Sequence, residues 1–207
     1  MASADLKSAA AGAPPALRAD ARRNRERLIE VAAAAFAENG VETSLEDIAR
    51  RSGVGIGTLY RHFPTREHLV EVVYRRELEM LASAAAALAK THAPDAALHE
   101  WMLRFVEYIA TKRGMANSLR LLMTSNSALF AEGSGILRAA LGDLLQNAAN
   151  HGAVRSDIDT TDLLYALSSI YTIPEAPDWR DRSHKLILLL MDGLRCTRSV
   201  STAGSSP

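Results

Sequence analysis

Across the middle of the chain, from about residue 18 to 196, apolar residues recur at three- and four-residue spacing. No stretch alternates with period two, so the chain is expected to be all-α. The first helix is expected from about Asp20 to Glu38, with Leu28, Ile29, Ala32, Ala33 and Phe36 on one face and Gly40 as its stop. In TSLEDIARRSG, Ser44 can cap a helix of about two turns, with Asp47 at the third position as a variant of the capping box and Gly53 at the end. GIGTLYRHF then makes a third short helix closed by Pro64. A long helix is expected from Thr65 to the punctuation at Pro94. The next spans 95–113 and ends on Lys112, Arg113 and Gly114, two cations on the negative helix end and a glycine cap. Met115 to His151 is expected to hold two helices broken near AEGSG at 131–135, followed by the polar connection HGAVRSDID. Two last helices cover about Thr160 to Thr172 and Asp178 to Cys196.

Three short helices within about 45 residues, the last two joined by a tight glycine turn, form a helix-turn-helix pattern. Its turn runs into GVGIGTLYRHF, residues 53–63, with glycines at alternate positions. A dinucleotide site would need G-x-G-x-x-G after a buried strand, and a P-loop would need Gly-Lys-Ser/Thr; neither context is present. Leu59 and Phe63 lie four apart and can face a core, which leaves Thr58, Tyr60, Arg61 and His62 on the flanks and outer face. Donors at that density suit phosphate oxygens, and the missing Cβ at Gly57 would let the backbone approach a groove floor. The alternative is that the glycines only allow two helices to pack closely, with the Tyr60 ring capping the core.

Charge changes this picture little. The 24 Lys and Arg balance the 24 Asp and Glu. Residues 1–66 carry ten cations against eight anions, a tilt too small to identify a partner. The single cysteine, Cys196, excludes an internal disulfide framework and fits a reducing cytoplasm. Neither a signal-peptide core nor an 18-residue apolar run is present, so the chain is expected to be cytoplasmic with no membrane partner.

The stretch ADARRNRERLIEVAAAAFAENGVETSLEDIARRSGVGIGTLYRHFPTREHLV resembles the DNA-binding module of the TetR/AcrR family of transcriptional regulators over roughly residues 20–72. The remainder resembles that family's regulatory domain, possibly of an SbtR-like kind, in helix order and in the HGAVRSDID and LLLMDGLR stretches. The resemblance implies an arm at 1–17, a DNA-binding domain at 18–66, a helical ligand-binding and dimerisation domain at 67–196 and a tail at 197–207; arm and tail are expected to be disordered. It implies phosphate contacts at Thr43, Ser44, Tyr60 and His62. Ile56, Gly57 and Thr58 would form the base-facing end of the recognition helix, with Arg61 beside them and Arg66 standing where the family usually has a lysine. Isoleucine at 56 offers only apolar contact, such as to a thymine methyl, so indirect readout takes a larger share of sequence choice. Ser44 is expected to act both as helix cap and as DNA contact. Arg18, Arg22, Arg23, Arg25 and Arg27 either reach phosphates or form a solvated helix face with Glu26 and Glu30.

The resemblance also implies a small-molecule effector and a homodimer on a double-stranded operator, the expected output being repression. Pocket candidates are Trp101, Phe105, Tyr108, Arg120, Met123, Asn147 and His151, although the first three, at i, i+4 and i+7, equally describe ordinary core. Apolar residues around the whole circumference of KLILLLMDGL require either a central helix or a twofold partner; the expected dimer contacts are Leu163, Leu167, Ile170, Leu186, Leu189 and Leu190. No H-E-x-x-H spacing or G-x-S-x-G elbow occurs, so no catalytic residue, metal or cofactor is expected. The alternative class is an α-helical enzyme or small-molecule carrier whose helix-turn-helix is vestigial.

Overall fold

The structure, a computed structural model, describes residues 15–174 and 176–195. Among the described residues it is all helical: α1 (Pro15–Asn39), α2 (Leu45–Arg51), α3 (Ile56–His62), α4 (Arg66–Thr91), α5 (Pro94–Gly114), α6 (Ala116–Ser125), α7 (Ser127–Asn150), α8 (Thr160–Ser168) and α9 (Trp179–Arg195), with 3-10 turns at Gly40–Glu42 and Ser169–Thr172. The expected tail, Cys196 and all of the expected arm except 15–17 lie outside the described residues; 15–17 already belong to α1.

Two compact units share these helices. The first contains the described residues up to Arg76 together with Ala110–Ser127, and the second contains Glu77–Ile109 and the described residues from Ala128 onward. The units are thus not contiguous in sequence, and α4 and α5 each contribute to both.

In the first unit, Leu28, Ala32, Ala35 and Phe36 of α1 close over Ile48, Leu59, Phe63, Leu69, Val70 and Val73, all fully buried. Each buried side chain of this size is worth about 1.5–3 kcal/mol, enough to hold seven-residue helices that would not form alone. Arg51 ties α2 to α1 through Glu38 at 2.7 Å, and Arg76 ties α4 to α1 through Glu30 at 2.8 Å. The end of α5 belongs here as well. Gly114 lies so close to α1 that a Cβ would stand 2.0 Å from the Phe36 carbonyl oxygen. Its φ is not positive, so the expected glycine cap is a packing glycine instead: two backbones meet where no side chain fits.

In the second unit, Trp101 is fully buried and its indole N–H donates to the Leu81 carbonyl at 2.8 Å. Rings stack along α5 from Trp101 to Phe105 (5.9 Å) and on to Tyr108 (5.6 Å). Arg195 pairs with Asp95 at 2.7 Å, joining the ends of α9 and α5; that hydrogen bond holds the Asp95 carboxyl below the usual carboxylate range.

The helix break expected near AEGSG is absent. Residues 131–135 run inside α7, and the break falls at Asn126. Glycine inside a helix costs about 1 kcal/mol, which the burial of Leu129, Leu137 and Leu141 outweighs. The Thr124 and Ser125 hydroxyls instead donate to the Leu121 and Leu122 carbonyls, competing with backbone partners and ending α6.

Candidate nucleic-acid interface

The two short helices are set by local chemistry. Ser44 Oγ accepts the Asp47 N–H at 3.0 Å and caps α2. At its other end Gly53 has φ +70°, a left-handed conformation that favours glycine, and its N–H donates to the Arg50 carbonyl at 3.1 Å. Gly55 is extended and caps α3 through its carbonyl, which accepts from Thr58 at 2.9 Å and Leu59 at 3.2 Å.

On α3, Leu59 points into the core, as does Phe63 just beyond it. The opposite surface presents Ile56, Gly57, Tyr60 and Arg61 to solvent, flanked by half-buried Thr58 and His62. At Gly57 a Cβ would meet no atom within 4 Å, and the backbone is not left-handed. Neither packing nor conformation within the protomer therefore demands glycine there.

Two residues expected at the interface are committed elsewhere. Thr43 is buried, and its hydroxyl donates to the Ala35 carbonyl at 3.0 Å and the Gly40 carbonyl at 2.9 Å, satisfying the end of α1. Arg66 donates to the Thr43 carbonyl at 2.6 Å and lies over the Phe36 ring at 5.3 Å. Both brace the module from within; Ser44 stays exposed.

Of the five candidate arginines, the structure singles out Arg25. Its guanidinium lies 5.4 Å from the Phe63 ring centre, beside His62. Burial first, and the Arg25 charge second, lower the His62 imidazole below its usual range, so it is neutral near neutral pH. Arg23 pairs with Asp20, and Arg22 and Arg27 are exposed. No local sequence signal joins residue 25 to residue 62; tertiary packing alone makes them neighbours.

The expected pocket residues do not converge on one cavity. Trp101 and Phe105 are core, and Arg120 and Met123 are exposed on α6 in the first unit. Asn147 and His151 sit at the end of α7, where the Asn147 carbonyl accepts the His151 N–H at 3.3 Å. Tyr108 alone of the seven lines an open groove of about 230 Å³ in the second unit, with Met80, Leu81 and Ala84 as its apolar wall and Glu77, Arg104 and Glu107 around it. Sequence missed Met80, whose exposure depends on how α4 is turned.

Three expected dimer contacts are also inward. Leu163, Leu167 and Ile170 fill the protomer core, because α8 is short and spends its single apolar face there. Leu186 and Leu190 are half-buried. The apolar side chains that do stand out are Tyr165, Leu188 and Leu189. Among the described residues no helix is long and apolar enough to cross a membrane.

Residues 28–73 match the family of bacterial regulatory proteins of the tetR type, and residues 93–196 match the C-terminal domain of SbtR-like transcriptional regulators. A helix-turn-helix-type transcriptional regulator of Staphylococcus aureus is 45% identical over 65 residues, 31% of this chain and 35% of that protein; the chain thus spans about a third of the curated relative's length. Likeness to solved structures extends further. A TetR transcriptional regulator from Streptomyces coelicolor has a TM-score of 0.75 and 40% identity, covering 84% of this chain and 99% of the other. A TetR transcription regulatory protein from Mycobacterium vanbaalenii has a TM-score of 0.68 and 33% identity, covering 87% and 99%.

Proposed function

The chain belongs to the TetR family of transcriptional regulators, and from that premise we propose a homodimeric repressor released from a pseudo-palindromic operator by a small molecule. The observation that carries the interface is Gly57: an exposed helical position with open space around it keeps a residue that costs helix stability. A duplex fitted against bare backbone accounts for that choice. Tyr60, Arg61, Ser44 and, from α1, Arg25 supply donors to phosphates, while Ile56 and Thr58 meet base edges. Thr43 and Arg66 hold the module's shape and act on DNA through it.

In a dimer the two recognition helices enter successive major grooves about 34 Å apart. An effector that favours a different separation weakens binding; a coupling of about 1–3 kcal/mol corresponds to roughly 5- to 150-fold. The groove beside Tyr108 is the proposed effector site, its apolar wall and charged surround suiting an amphiphilic molecule. Such a protein acts in the cytoplasm, with no cofactor, metal or catalytic residue.

Fluorescence anisotropy on a duplex from the protein's own upstream region tests the regulator. A sequence-preferring interaction that weakens steeply with salt is expected. Binding with neither property leaves the enzyme or carrier with a vestigial helix-turn-helix.

A further inference from the structure

Helix α9 turns Ile187, Met191 and Leu194 into the protomer and presents a second stripe outward: Lys185, Leu188, Leu189 and Asp192, all exposed. Their spacing of i, i+3, i+4 and i+7 places them on one face. Lys185 and Asp192 stand symmetrically about the midpoint of Leu188 and Leu189, each about 5 Å away along the helix axis. We propose that α9 packs antiparallel on its own copy, centred between Leu188 and Leu189, so that Lys185 faces Asp192 of the partner subunit. Twofold symmetry produces that pair twice. A parallel pairing would set lysine against lysine and aspartate against aspartate.

The neighbouring surface is also self-complementary. Tyr165 projects from α8, 72% exposed. Between α8 and α9 lies a hollow of about 300 Å³, lined by Leu163, Ala166, Leu189, Leu190 and Leu194. One face thus carries both a protruding aromatic ring and an apolar recess, as an isologous contact requires, since each copy must supply what the other lacks. Charge complementarity and shape both favour a second copy of this chain over an unrelated partner.

The proposal rests on the dimer reading, and charge reversal separates the two. Sedimentation of the full chain at about 50 mM salt is compared for wild type, Lys185→Asp, Asp192→Lys and the double reversal, with circular dichroism reporting fold. Each single variant sets like charges opposite and is expected to raise the dimer Kd about tenfold or more. The double reversal restores both pairs and should return within about threefold of wild type, and all differences should shrink at high salt. A dimeric wild type with unaffected single variants, or a double variant weaker than either single, overturns this register and leaves the dimer standing. A monomeric wild type overturns both.

Discussion

Replacing Gly57 by alanine separates folding from DNA binding, because its surroundings inside the protomer are empty. The added Cβ meets nothing within 4 Å, and the position is helical without a left-handed φ. Alanine in a helix interior is about 1 kcal/mol better than glycine; at the second residue of a seven-residue helix about half of that is expected, as stabilisation. On the duplex the same methyl group comes between backbone and groove floor. Either α3 backs away or a base contact is lost, at about 1–3 kcal/mol per half-site, so a twofold complex should weaken at least tenfold. Urea unfolding followed by circular dichroism gives the first quantity, and anisotropy at fixed salt the second. Unchanged binding, within about twofold, would refute the close approach of α3 to a groove. A loss of stability would show that the space around Gly57 is not open.

Gly114→Ala has the opposite character: its Cβ would meet the Phe36 backbone at 2.0 Å, so α5 and α1 must separate, and chemical denaturation should show a loss of about 1–3 kcal/mol or more. Thr43→Val keeps the shape but removes the donor to the Ala35 and Gly40 carbonyls, costing about 1–3 kcal/mol by the same measurement. The lowered His62 pKa means that the unfolded chain takes up a proton more readily than the folded one. This group's contribution is present above the ordinary histidine value and is lost as pH falls toward the folded value; His62→Ala should flatten that acid-side decline in a pH series of melting temperatures. Phosphates favour protonated His62, so DNA affinity should rise between pH 7.5 and 6.0 by more in wild type than in His62→Ala, read by anisotropy.

The order of helices was legible in the sequence because helix formation is signalled locally. Three- and four-residue spacing, the Ser44 cap, the left-handed Gly53 and the stop before Pro64 act within a few residues of themselves, and each stands where the pattern indicated. The Leu59 and Phe63 pair likewise fixed which side of α3 is buried, and therefore which side carries Tyr60 and Arg61. Tertiary structure decided whatever depends on residues far apart in the chain. Thr43 turned inward because the carbonyls ending α1 needed a donor, and Arg66 because the Phe36 ring and the Thr43 carbonyl lay within its reach. Packing alone brought Arg25 to His62, Gly114 to Phe36, and Leu163, Leu167 and Ile170 into the core. A repeat of apolar residues says that a helix has a buried face, but a helix as apolar as α9 has two eligible faces, and only its neighbours determine which is left for solvent or a partner.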